Sequence, residues 1–227
     1  MYINDLSYYE DKVLDCFGDS TTWGDNGVHT GSNKISWVHG FQHLIPFAEV
    51  RNYGIKGSRI ADCGDRDDSF AKRVKEIKVE DADYMVIFGG VNDFQHSVPL
   101  GEFSIDNVDT HTFYGAYNYI LRYLLSNYLD CKYIVMTPTK NNFHHPTKNY
   151  PTTLQTNDLG LHQGDYVKAI KQVAHLYGQP VIDLYNNSGM SPFIKVNTKF
   201  QPDGLHYSQA GYKRLQRRIA SQLLNYL

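Results

Sequence analysis

Short apolar runs alternate along this chain with longer stretches whose apolar positions recur every three or four residues. The runs over 13–17, 49–52, 84–88, 133–137 and 181–184 are mostly rich in Val, Ile, Tyr and Phe. Short apolar runs bounded by turn residues are the pattern of strands buried on both faces. The run over 49–52 is the least apolar of the five. Between them the spacing predicts helices over 37–45, 70–78, 113–129, 165–177 and 209–224. In the third, Phe113, Ala116, Tyr117, Ile120, Leu121, Leu124, Leu125 and Tyr128 fall on one helical face. Tyr166, Val167, Ile170, Val173, Ala174 and Tyr177 do so in the fourth, which Gly178 and Pro180 end. Ser208 is placed to cap the last, whose inner stripe is Tyr212, Leu215, Ile219 and Leu223.

Five strand–helix units in series imply right-handed crossovers and a parallel sheet covered by helices on both faces. The expected fold class is therefore α/β: a three-layer sandwich, flavodoxin-like, with five strands in the order 2-1-3-4-5. No repeat, low-complexity tract or linker interrupts the pattern, so 1–227 is expected to be one domain with 1–12 as an N-terminal extension. The stretch 140–164, about 25 residues without periodicity, exceeds the length of roughly 12–15 at which unstructured loops become uncommon. It follows a strand and should emerge at the carboxyl edge of the sheet, where open α/β folds bind ligands. A lid or substrate wall is expected there.

Composition narrows the function. A chain of 227 residues can bury roughly 70% of its unfolded surface and needs no disulfide or metal to hold a core. With 41% hydrophobic and 20% charged residues the composition is globular, and a net charge of −2 supplies no drive toward nucleic acid or anionic membrane. No apolar run approaches the length of a membrane span, so a soluble protein is expected. The first twelve residues carry neither a basic nor an apolar signal region. The expected setting is cytoplasmic, or part of a phage or cell-surface assembly. Cys16, Cys63 and Cys131 are odd in number and far apart, which predicts reduced, core-packed side chains.

The residues following the strands carry the chemistry. After the first comes Gly18-Asp19-Ser20; after the second, Gly54-Ile55-Lys56-Gly57-Ser58; after the third, Gly89-Gly90-Val91-Asn92-Asp93. Beyond the fifth, just before the last helix, stands Asp203-Gly204-Leu205-His206. In a parallel sheet all four lie on one rim. A hydroxyl, a glycine turn, a carboxamide and a carboxylate–imidazole pair are the parts needed for acyl transfer. A serine hydroxyl is a poor nucleophile until an imidazole takes its proton, and the imidazole needs a carboxylate to fix its tautomer. The oxyanion formed on attack calls for preorganised N–H donors; losing one costs about 2.7–4 kcal/mol of barrier.

This set resembles the SGNH hydrolases, the GDSL-like esterase and lipase superfamily, in order, spacing and strand context over about 13–224. The resemblance implies Ser20 as nucleophile, His206 as base and Asp203 as its orienter. It implies an oxyanion hole from the N–H groups of Ser20 and Gly57 and the Asn92 amide. Thr21 stands where the name-giving motif has Leu, which blurs the subfamily and leaves the chemistry in place. A second Asp-x-x-His, Asp93 to His96, also follows a strand. The family places its pair before the last helix, which favours Asp203 and His206, with Asp93 bracing the Asn92 loop and His96 on the rim.

The expected function is hydrolysis of carboxylic esters through an acyl-enzyme, on a small-molecule or glycan ester with a short acyl or O-acetyl group, without metal or cofactor. Asp19, Phe143 and Tyr150 are candidate substrate contacts. Two alternatives stand beside it: a metal-dependent phosphoesterase using Asp19, Asn92, Asp203 and His206, and a non-catalytic glycan- or partner-binding module. The absence of a Gly-x-Ser-x-Gly elbow excludes the α/β-hydrolase fold, and the absence of a P-loop or Gly-x-Gly-x-x-Gly argues against nucleotide cofactors. His39 and His43, four apart on a predicted helix, and the adjacent His144 and His145 lack metal-site spacing. Lys213, Arg214, Arg217 and Arg218 read as a solvated helix face near its C-terminus, and most of the 18 tyrosines as core.

Overall fold

The computed structural model describes residues 5–227. Five parallel strands, β1 (Val13–Gly18), β2 (Glu49–Gly54), β3 (Tyr84–Phe88), β4 (Lys132–Met136) and β5 (Val181–Ile182), form one sheet in the order β2-β1-β3-β4-β5. Seven α-helices connect or flank them: α1 (Ser20–Trp23), α2 (Phe70–Arg73), α3 (Val91–Gln95), α4 (Phe113–Asn127), α5 (Gln163–Leu176), α6 (Leu184–Asn187) and α7 (Gln209–Leu223). Among the described residues no helix is long and apolar enough to cross a membrane.

The period-two alternation of each strand divides the core into two layers. Phe17, Met85, Ile87, Tyr133 and Val135 face α2, α4 and α5. Leu14, Cys16, Tyr84, Val86, Phe88, Ile134 and Met136 face the other way, toward α7 and the segment bearing Trp37 and Phe41. Both faces are covered, which is why the strands needed continuous apolar runs. Seven tyrosines, from Tyr9 to Tyr212, are buried with them.

Several expectations need correction. The predicted helix over 37–45 is absent: the segment holds only a 3-10 turn at Phe41–His43, preceded by another at Asn33–Ile35. Gly40 sits in its middle with φ +71°, a left-handed conformation that interrupts a helix, although Trp37, Val38, Phe41 and Ile45 are buried as their spacing implied. His39 and His43 are therefore not one helical turn apart. The helix over 70–78 stops at Arg73, after which Glu76 N–H bonds Arg73 O in an i to i+3 turn. The fifth strand ends at Ile182 because Asp183 caps α6, accepting from Asn186 N–H. The four basic residues of α7 are exposed but lie in its middle turns, and its last turn carries none. Cys63 is exposed, in a turn closed by Gly64 N–H on Asp62 Oδ1 (3.0 Å), while Cys16 and Cys131 are buried. Of the predicted extension 1–12, residues 1–4 lie outside the described residues. The rest is fixed to the core by Tyr9, packed against Phe47 and Tyr84.

One buried cation ties the carboxyl edge together. The Arg73 guanidinium donates to Gly18 O at the end of β1 (3.0 Å), Tyr53 O on β2 (2.8 Å), Asp68 O (2.8 Å) and Ser58 Oγ (2.9 Å). It lies over the Phe17 and Phe70 rings at 4.7 and 4.9 Å. Burial pulls its pKa down to about 10, still well above neutral, so it remains charged. A lysine cannot make this planar, multiply bonded contact. Arg73→Lys is expected to lower unfolding free energy by about 2 kcal/mol or more, measured by urea denaturation; a change below about 0.5 kcal/mol would contradict this role.

Candidate active site

The four motifs meet at the carboxyl edge, and each is held there by local chemistry. Asp19 caps α1 by accepting Thr21 N–H (2.9 Å), which sets Ser20 at the first helical position directly above β1. Asp203 builds its own turn: Oδ1 accepts the N–H groups of Leu205 (2.9 Å) and His206 (2.7 Å). Its Oδ2 is left to accept His206 Nδ1–H at 2.6 Å. That bond fixes the tautomer, so Nε2 carries the lone pair, and the Ser20 hydroxyl lies 3.1 Å from it. Ser20 and His206, 186 positions apart in sequence, thus sit within proton-transfer reach in a site where His206 is only 9% exposed.

The remaining predicted residues divide. Gly57 and Asn92 line the same cleft as Ser20 and His206. Among the described residues, the backbone N–H groups of Ser20 and Gly57 have no intrachain acceptor. The Asn92 amide donates to Ser58 O (2.9 Å) and lies 3.5 Å from Asp19 Oδ2. Asp19 itself is buried beneath Ser20 and does not line the cleft, so the structure does not place it as a substrate contact. Asp93 and His96 do not pair. Asp93 accepts Ile60 and Ala61 N–H (2.9 and 3.0 Å), while His96 Nδ1–H donates to Asn92 O (2.9 Å) on the cleft rim.

The long irregular segment forms the opposite wall. It has no helix between β4 and α5 and is fastened to the Asp203 turn: Asn142 N–H donates to Gly204 O and His144 N–H to Asp203 O, both at 2.9 Å. These bonds set the Phe143 ring edge-on to His206 (5.6 Å, 89°) and stack Tyr150 on Phe143 (5.6 Å, 21°). The cleft encloses about 460 Å³. Besides this aromatic wall it is lined largely by polar and charged groups, including Asp25, Lys56, Arg59 and Lys148. Asp25 and Lys56 were not singled out from the sequence, although the Gly24-Asp25-Asn26-Gly27 turn offered a signal.

The electrostatics differ sharply among the carboxylates. Burial pushes Asp19 up to about 6, against the Thr21 N–H and the charges of His206 and Arg73. Burial also pushes Asp25 up, but His206, Lys56 and the Gly27 N–H outweigh it and hold the group below its ordinary value. For His206, burial works downward; the Asp203 hydrogen bond and charge, with Asp25 and Asp19, overcome it and hold the imidazole above its ordinary pKa. Among the described residues, no three His, Cys, Asp or Glu side chains are placed to hold a metal ion.

The GDSL-like lipase/acylhydrolase family model matches residues 16–214. No curated protein matches the chain in sequence. One solved structure is 48% identical, covering 96% of this chain and 98% of its own, with a TM-score of 0.91. A protein from Lactobacillus plantarum is 28% identical over 96% of this chain and 99% of that one, with a TM-score of 0.78. A structure described as a possible lipase from Chitinophaga pinensis shares the fold at 20% identity, covering 94% of this chain and 98% of that one, with a TM-score of 0.72. Because the family match runs from the first strand into the last helix, this chain belongs to the GDSL-like lipase/acylhydrolase family.

Proposed function

We propose that this hydrolase is a serine esterase acting through an acyl-enzyme on carboxylic esters with short acyl groups, O-acetyl esters of glycans among them. The observation that carries the proposal is the continuous line Asp203–His206–Ser20, with contacts of 2.6 and 3.1 Å, at the floor of an open cleft. Ser20 Oγ attacks the ester carbonyl while His206 Nε2 takes its proton and Asp203 stabilises the imidazolium. The oxyanion lies against the free N–H groups of Ser20 and Gly57. Asn92 contributes its amide, whose contact with Asp19 at 3.5 Å is long enough to yield. His206 then protonates the leaving alcohol and activates water for deacylation.

The preference for small acyl groups follows from the lining. Phe143, Tyr150 and Leu205 supply the apolar surface, and charged and amide groups supply most of the rest. A long alkyl chain would desolvate polar groups without pairing them, which is unfavourable. Stacked aromatic rings beside hydrogen-bonding side chains suit a sugar or another polar alcohol.

A chain-length series of 4-nitrophenyl esters tests this directly. Turnover is expected to be highest for acetate to butyrate and to fall by about tenfold or more at octanoate. Ser20→Ala and His206→Ala should each lose about a thousandfold or more in kcat, whereas His96→Ala should stay within about threefold of wild type. Loss on His96→Ala with retention on His206→Ala would overturn the assignment. Only the neutral imidazole can accept the Ser20 proton, and His206 is held above its ordinary value. The acid limb of kcat/KM is therefore expected with a midpoint above about 6.5. A rate independent of pH down to about 5 would exclude His206 as the base.

A further inference from the structure

A second carboxylate reaches the same imidazole from the cleft side. Asp25 Oδ2 lies 3.9 Å from His206 Nε2, on the cleft wall beside Ser20. It is held from three directions. Its Oδ2 is 2.8 Å from Lys56 Nζ, its Oδ1 accepts Gly27 N–H at 3.1 Å, and its carbonyl accepts the buried Tyr212 hydroxyl at 2.6 Å. The turn that carries it is pressed against Asp203. A Cβ at Gly27 (φ +70°) would stand 2.4 Å from Asp203 Oδ2. His206 is thus bracketed by a carboxylate on each nitrogen, and only the Asp203 one follows from the family motif.

We propose that Asp25 is a positioning residue for proton delivery: its carboxylate, fixed by Lys56, receives the Nε2–H edge of the His206 imidazolium and keeps that proton on the leaving-group side of the cleft. The proposal rests on the serine-esterase reading above. As Ser20 Oγ bonds to the acyl carbon, its proton passes to Nε2 and the carbonyl π pair moves onto oxygen. When that pair returns, the bond from the acyl carbon to the alcohol oxygen breaks and the Nε2 proton goes to that oxygen. Between the two events Ser20 Oγ is an ether-type oxygen of the tetrahedral intermediate, a poorer acceptor than the free hydroxyl, so the imidazolium gains from a second partner at Nε2. Asp25 stands where a small tilt of the ring supplies it. Its partnership with Lys56 weakens it as a base, so it orients the proton without keeping it.

The resting geometry agrees. Nε2 is nearer to Ser20 Oγ (3.1 Å) than to Asp25 (3.9 Å), so Asp25 does not draw the neutral ring away from the nucleophile. The charged groups around His206 are Asp203 in its own turn, Asp19 at the end of β1, Asp25 after α1 and, through Asp25, Lys56 after β2. The long loop adds the Phe143 ring edge, with His145 and Lys148 also lining the cleft.

Two variants separate this role from simple bracing of the turn. His206 is titrated by imidazole nitrogen NMR without substrate, and kcat/KM is measured for an alkyl acetate and for 4-nitrophenyl acetate. The alkyl alkoxide needs a proton to leave; nitrophenolate does not. Asp25→Asn should lower the His206 midpoint by about 0.5–1 unit, and Lys56→Met should raise it. Asp25→Asn should also cost about tenfold on the alkyl ester and less than about threefold on the nitrophenyl ester. An unmoved His206 midpoint, or equal losses on both esters, would overturn the proposal. A wild type that hydrolyses no ester would overturn the esterase reading and this role together, a result distinct from an active wild type whose His206 ignores Asp25.

Discussion

The site depends on one interaction: a nearly buried imidazole held between a carboxylate and a hydroxyl. Burial alone would make His206 a weak base, and the 2.6 Å bond from Asp203 reverses that while fixing which nitrogen faces Ser20. The Asp203–His206 turn is self-organised, because Asp203 also satisfies two backbone N–H groups of the same turn. The fold supplies what the turn cannot. The end of β1 presents Ser20, and the Arg73 guanidinium clamps the ends of β1 and β2, so that Ser20 and the glycine turn share one rigid edge.

Charge placement around this interaction is economical. Asp19 lies beneath Ser20 as a helix cap, buried and pushed up toward neutrality. Asp25 lies above, paired with Lys56 and held ionised. Asp93, buried and pushed up to about 7, fastens the loop after β3 to the Ile60–Ala61 backbone. Three acids within a few residues of the predicted motifs therefore do different work, decided by what each oxygen touches. The aromatic wall is positioned through backbone bonds to the Asp203 turn, which couples the Phe143 ring to the orientation of the His206 imidazole.

Much of this was legible from periodicity. The strands β1, β3 and β4 and the helices α4, α5 and α7 stood where the apolar pattern put them, because each buries a regular apolar face, while β5 proved shorter than its apolar run. The segment over 37–45 has the right buried residues and the wrong conformation, since Gly40 breaks the helix without disturbing the apolar spacing. The helices α1, α3 and α6 have four or five residues, too few to show a period, and follow Asp19, Gly90 and Asp183 at their caps. The motifs led to Ser20, Gly57, Asn92 and His206, which line one cleft, and to Asp203, which bonds His206 from behind it. Lys56 and Arg73 were invisible, and Asp25 was marked only by its turn, because a lone charged residue acquires meaning only from what the fold brings beside it. The carboxylate of Asp19, a candidate substrate contact by sequence, turns inward to cap its own helix.

The central claim is that His206 makes Ser20 nucleophilic. The most direct measurement is the site and rate of labelling by a fluorophosphonate, read by mass spectrometry of the intact protein and its peptides. One adduct on the Ser20 peptide is predicted, formed at least about a hundredfold more slowly in His206→Ala. No adduct on Ser20, or labelling that proceeds equally fast without the His206 imidazole, would contradict the account.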